Sequence, residues 1–281
     1  MEFKKLSTGF NLPVLGFGTW AMGGLKVKDT THDKEDINAI KTALKLGITH
    51  IDTAESYSQG HSEELVGEAI NEFDRKTLFI TTKVAPQNFH YDDLINSAKN
   101  SLKRLQVDYI DLYLLHSPNP EIPIEESMKA MDYLVEQGMV RNIGISNFSV
   151  DEMKKAQACT KNKIVTNQID YSLLVRNKSK YVEKMESEII PYCQENDILV
   201  TAYKPLALGR LGKENFPLLK ELAERYNKTP AQIALNWVIS KKNIVAIFKS
   251  TNPEHIKENL GALGWKLEPE DVVKLDQMGE K

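Results

Sequence analysis

Four side chains with complementary chemistry stand at the ends of successive apolar runs. Asp52 lies at the end of the run 50–54 with Tyr57 just beyond it, Lys83 closes 78–83, and His116 closes 109–116. A phenol near its ordinary pKa of ~10 is a poor acid at neutral pH. A neighbouring ammonium favours the phenolate and is expected to lower that pKa, while a carboxylate keeps the ammonium charged and in place. An imidazole can orient a substrate oxygen or share its proton. Such a set would protonate a carbonyl oxygen as a hydride arrives at its carbon, and it offers no nucleophile for acyl transfer. Singly, each residue has an ordinary reading: Asp52 as a loop cap, Tyr57 as packing, Lys83 as a solvated strand-end lysine, His116 as a satisfied core histidine. Their recurrence on three successive strand ends favours the chemical reading.

The elements that must position them repeat regularly. Strand-like apolar runs fall at 14–19, 50–54, 78–83, 109–116, 140–147, 164–170, 198–204 and 243–249. Their starts are about 33 residues apart on average, and a βαβ unit needs ~30 or more. Between them lie stretches of helical period. Asp33 is placed to cap a helix with Ile37, Ile40 and Leu44 on its inner face and Gly47 at its end; Ser62-Glu63-Glu64 opens the next. Leu94, Ala98, Leu102 and Leu105 form a third apolar stripe, and Thr229-Pro230 starts a further helix. The strands are apolar on consecutive residues, as when both faces are covered. Eight strands in strict alternation favour a closed parallel barrel over an open doubly wound sheet. The expectation is an α/β fold: one (β/α)8 TIM barrel domain over 1–281. A hairpin around Gly9-Phe10-Asn11 closes its bottom, and an extra helix lies at 217–226.

Composition narrows the function classes. At 281 residues, 41% hydrophobic and 27% charged, the chain is globular rather than fibrous or disordered. No run approaches the ~18 apolar residues of a membrane span, and no apolar leader follows Met1, so a cytoplasmic protein is expected. The net charge of −3 with no basic block gives no expectation of nucleic-acid or membrane partners. Two cysteines, Cys159 and Cys193, and six histidines show no metal-ligand spacing, so no metal is expected. Gly16-Phe17-Gly18-Thr19-Trp20-Ala21 matches a dinucleotide-binding glycine pattern. That motif needs a helix opening at the glycines, and here Met22-Gly23-Gly24 follows instead.

The stretches Gly16–Trp20, Asp52–Tyr57, Ile80–Lys83, Asp108–His116, Gly144–Phe148 and Asn167-Gln168 together resemble the aldo-keto reductase family, from about Lys5 to Leu275. The likeness is to its prokaryotic aldehyde and diketogluconate reductases. It implies a tetrad of Asp52, Tyr57, Lys83 and His116, and an extended NADPH bound without a Rossmann domain. It further implies that Ser146, Asn147 and Gln168 hold the nicotinamide carboxamide and that Tyr203 stacks on the ring. Gly18 and Thr19 would also touch the cofactor, with Lys204, Pro205 and Leu206 spanning the pyrophosphate; Lys204 replaces a frequent serine. Lys249, Ser250 and Thr251 would bind a 2′-phosphate ahead of a helix near Pro253, with Glu258 and Asn259 on adenine. His255 stands where arginine is common and Phe248 where proline is common, which narrows the margin of NADPH over NADH. Trp20 would line the substrate pocket beside Tyr57 and His116. Ser117 replaces a frequent tryptophan and the tail is short, so a broad range of small carbonyl substrates is expected of a monomer. Two readings stay open beside the reductase: a cofactor-binding sensor with negligible turnover, and an NAD-dependent alcohol or sugar dehydrogenase.

Overall fold

The computed structural model describes residues 2–278. Its eight parallel strands are β1 (Leu15–Gly18), β2 (His50–Asp52), β3 (Phe79–Val84), β4 (Ile110–Leu115), β5 (Val140–Ser146), β6 (Ile164–Asp170), β7 (Leu199–Tyr203) and β8 (Ile244–Phe248). They pair in chain order, and β8 closes onto β1, with Ile247 opposite Gly16. This is the expected (β/α)8 barrel, and each expected strand lies within two residues of an observed one.

Helices α1 (Asp33–Lys45), α2 (His61–Ile70), α3 (Tyr91–Leu105), α4 (Ile124–Glu136), α5 (Val150–Ala158) and α6 (Ile190–Glu195) cover the first six crossovers. Between β7 and β8 run α7 (Arg210–Lys213), the expected extra helix α8 (Pro217–Tyr226) and α9 (Pro230–Ser240); α10 (Pro253–Leu260) and α11 (Pro269–Asp276) follow β8. Helix α9 opens as its sequence indicates. The Thr229 hydroxyl accepts from Gln232 N while the Gln232 side chain accepts from Thr229 N, satisfying two orphan donors.

One helix start differs from expectation. Asp33 is the first residue of α1 rather than its cap, and its carboxylate meets His61 Nε2 at 3.0 Å. Here a tertiary partner outcompetes the local capping bond. Helix α2 opens at His61, one residue before Ser62, whose buried hydroxyl donates to Thr19 Oγ1 at 2.8 Å.

The strand pleat divides the core. Ile51, Ile80, Val84, Tyr113 and Leu115 face the helices. Leu112, Leu114, Val165, Leu199 and Val245 form a separate cluster with Leu6 and Leu12 of the N-terminal hairpin, Phe3–Lys5 paired with Asn11–Pro13. The hairpin thus plugs the N-terminal end of the barrel, as expected. Gly16 is required by close approach, because a Cβ there would sit 2.5 Å from His50 Nδ1 and 2.9 Å from Ile247 Cγ2. The loop after β1 carries three positive-φ residues, Ala21, Gly23 and Gly24, and no helix, so the glycine pattern is not a Rossmann turn.

Candidate active site

In a parallel barrel all eight C-terminal strand ends meet at one mouth. Asp52 ends β2 and Lys83 is the penultimate residue of β3, both pointing inward and both buried. Lys83 Nζ donates to Asp52 Oδ1 at 2.6 Å and to the Thr53 carbonyl at 2.7 Å. Its third contact is Tyr57 Oη at 3.4 Å. His116, just past β4, sets its ring edge-to-face against Tyr57 with centroids 5.6 Å apart. Its Nδ1 lies 3.2 Å from Ser56 Oγ, and Nε2 has no hydrogen bond among the described residues.

The electrostatics follow from burial. Burial works to lower the Lys83 pKa, but the Asp52 carboxylate, helped by the Tyr57 oxygen, outweighs it and holds the ammonium above its ordinary value. Burial, then the Lys83 charge, lower His116 to about 3, so its imidazole is neutral. The expected lowering of the Tyr57 pKa is not the net result. Burial pushes the phenol up, the Lys83 ammonium pulls it back, and the Asp52 carboxylate adds to the rise. Tyr57 therefore carries its proton at neutral pH.

The turn after Tyr57 needed the tertiary structure to be seen. Ser58, Gln59 and Gly60 have φ of 52°, 61° and 89°, three left-handed residues in succession. Such residues persist only where their surroundings over-determine them. The Ser58 hydroxyl donates to the Met22 carbonyl at 3.0 Å and also contacts the Gly24 carbonyl, tying the turn to the loop after β1.

The remaining expected residues gather at the same mouth. Ser146 Oγ donates to the Gln168 carbonyl at 2.9 Å, and Asn147 Nδ2 bonds both Ser146 Oγ and the His116 carbonyl. Tyr203 Oη donates to Asn147 Oδ1 at 3.0 Å. Gln168 Nε2 donates to Asp52 Oδ2 at 2.8 Å, leaving its side-chain oxygen Oε1 for another group. Thr19 is buried, with its hydroxyl turned onto the Asp52 carbonyl at 3.2 Å; Gly18 ends β1. Lys204, at φ 52°, places its ammonium 5.6 Å from the centre of the Trp20 ring, 5.4 Å from that of Tyr203 and 3.8 Å from Asp170 Oδ2. Pro205 and Leu206 follow it. Lys249, Ser250 and Thr251 connect β8 to α10, where Asn252 caps the helix by accepting from Glu254 N at 2.9 Å. His255, Glu258 and Asn259 lie on α10, with His255 exposed and Asn259 buried. No group of acidic, histidine or cysteine residues that could hold a metal occurs among the described residues.

These groups suit a dinucleotide phosphate. Ser146, Asn147 and Gln168 carry amide-complementary atoms, the Tyr203 hydroxyl bonds Asn147, and Lys249 precedes α10, whose N-terminus is fit for anions. Sequence reasoning overlooked Ser56, Ser58, Glu63, Arg104 and Asp170. Each acts through a contact with a distant residue, and no local spacing marks it.

The aldo/keto reductase family model matches residues 14–280. Methylglyoxal reductase YeaE of Escherichia coli is 36% identical over 277 residues, covering 97% of this chain and 93% of that protein. The crystal structure of the thermostable aldo-keto reductase Tm1743 with the inhibitor epalrestat superposes with a TM-score of 0.92 at 43% identity, covering 99% of this chain and 100% of that one. A Klebsiella pneumoniae aldo-keto reductase in complex with NADPH gives 0.87 at 32% identity, covering 99% and 95%.

Proposed function

This chain belongs to the aldo/keto reductase family, and from that premise we propose that it is an NADPH-dependent reductase of small aldehydes and ketones with Tyr57 as the general acid. The observation that carries the reading is the Tyr57 phenol, held 3.4 Å from an ammonium that Asp52 keeps charged and beside a neutral imidazole. The named activity of the Escherichia coli relative and the NADPH of the Klebsiella structure support it.

When bound, NADPH supplies a hydride to the carbonyl carbon. The protein's own residues manage the oxygen. His116 Nε2 and Tyr57 Oη present two polar atoms to one carbonyl oxygen, fixing its direction. As charge develops there, Tyr57 passes its proton and the resulting phenolate is stabilised by Lys83. Asp52 keeps Lys83 charged and, through Gln168, ties the tetrad to the carboxamide-binding face. Trp20 and the half-exposed Ser117 line the approach, and this open wall admits small carbonyls of varied shape.

The test is NADPH oxidation followed at 340 nm with a panel of aldehydes, ketones, keto acids and sugars, wild type beside Tyr57→Phe. The variant is expected to bind NADPH as wild type does and to lose on the order of 10²-fold or more in kcat. Tight NADPH binding with no turnover by wild type would favour a sensor, and faster NAD-dependent alcohol oxidation would favour a dehydrogenase.

A further inference from the structure

We propose that the ion pair of buried Glu63 with half-buried Arg104 is the positioning device that sets the separation of Tyr57 from Lys83. It rests on the reading of Tyr57 as the acid, and it concerns two residues that touch neither substrate nor cofactor.

Glu63, in the first turn of α2, is fully buried. Its Oε1 accepts from the Thr82 hydroxyl at 2.5 Å and its Oε2 accepts from Arg104 Nε at 2.6 Å. Thr82 precedes Lys83 on β3. Strand alternation turns Thr82 outward toward α2 and Lys83 inward to the tetrad, so Glu63 grips the strand from behind at the residue next to the ammonium. Arg104, near the end of α3, extends that grip. Its second nitrogen lies 4.0 Å from Glu55, two residues before Tyr57. The Glu55 carboxylate in turn accepts from Ala85 N at 2.7 Å and Asn88 Nδ2 at 3.0 Å, just beyond β3.

The same guanidinium underlies the left-handed turn on the other side of Tyr57. A Cβ on Gly60 would lie 2.7 Å from Arg104 Nε, so turn and side chain are in direct contact. Gly67 brings the helices together, since a Cβ there would be 2.5 Å from the Arg104 carbonyl. One ion pair therefore touches the chain before Tyr57, the chain after it, and the neighbour of Lys83. The phenol–ammonium contact is a long hydrogen bond at 3.4 Å, so a shift of a few tenths of an ångström breaks it.

Burying a carboxylate in such a pair is a weak route to stability, because apolar residues of similar volume often do as well. A positioning role accounts for it directly.

The experiment compares wild type, Glu63→Gln and Arg104→Met, each alone and in a Tyr57→Phe background. Glu63→Gln is nearly isosteric, so it tests the idea even if Arg104→Met folds poorly. The folded single variants are expected to lose kcat on the order of tenfold to a hundredfold, with the carbonyl KM and NADPH Kd within about twofold of wild type. In the Tyr57→Phe background neither change should lower the residual rate further, because both act through Tyr57. Crystal structures should show the Tyr57 Oη to Lys83 Nζ distance lengthened. An unchanged distance, an unchanged kcat, or losses that simply add to Tyr57→Phe would each overturn the proposal. If wild type reduces no carbonyl, the reductase reading fails while the crystallographic distance still decides the positioning.

Discussion

Replacing Asp52 by asparagine removes one charge and almost nothing else. The side chain keeps its size, its amide oxygen can still accept from Lys83, and Gln168 can rotate its own amide to accept from the new NH2 group. Hydrogen bonds are conserved, so the lost carboxylate charge dominates the effect. In the native protein that charge is what outweighs burial and keeps Lys83 above its ordinary pKa. Without it, burial wins and the Lys83 pKa falls. Leaving one member of a buried pair uncompensated costs about 3–5 kcal/mol. At roughly 2–4 °C per kcal/mol in a large domain, the thermal midpoint should drop on the order of 10 °C at pH 7. The sign of the pH dependence is the sharper test. Native Lys83 has a raised folded pKa, so its contribution is complete below the unfolded value of ~10.4 and is lost only as pH rises through the folded one. In Asp52→Asn the folded pKa is depressed, so where Lys83 is neutral in the folded state the unfolded chain binds one more proton. Stability then rises with pH by up to about 1.36 kcal/mol per unit until both states deprotonate. Scanning calorimetry of both proteins from pH 6 to 9.5 reads this directly. The variant's deficit should shrink toward alkaline pH. A deficit that is the same at every pH, or below about 1 kcal/mol, would refute the claim that Asp52 acts by compensating the buried charge.

His116, lowered to about 3, should contribute no inflection to the kcat/KM profile near pH 6.5; an inflection there that vanishes in His116→Asn would contradict its neutrality. His50, buried and lowered to about 4, is neutral in the folded state. Because its folded pKa lies below the unfolded value, stability should fall as pH drops from about 6.5 toward 4, read as a declining thermal midpoint. Gly16→Ala drives a methyl into His50 and Ile247 and should cost about 1–3 kcal/mol in a denaturation series; a neutral result would mean that the barrel wall yields there. Lys249→Met should weaken NADPH binding by several-fold while leaving NADH nearly unchanged, because only NADPH carries the 2′-phosphate; equal effects in a titration would remove Lys249 from that role.

Much of the fold is legible in the residues because its signals are local and repeated. Continuous apolar runs every thirty-odd residues can be satisfied by one strand and one helix each, and eight such units close without an edge. Once the strands are located, the ends follow, and Asp52, Lys83 and His116 fall together whatever the intervening helices contain. Even the extra helix at Pro217–Tyr226 is visible from its own apolar face. The misplaced helix cap, Asp33, fails for the opposite reason. Its residue type suits a local bond, but His61 offers a better partner from elsewhere in the chain.

The sequence by itself determined the barrel, the order of its strands and which chemical groups stand at its mouth. Only the tertiary structure decided what those groups do to one another. Gln168 reaches Asp52 across 116 residues, Arg104 reaches Glu63 across 41, and neither spacing leaves a trace in the pattern. The direction of the Tyr57 pKa is the clearest case. The residue types correctly give an ammonium that lowers it, but the depth at which the phenol is enclosed raises it more. Charge is written in the residue type, whereas desolvation depends on what surrounds a side chain once the whole chain has closed around it.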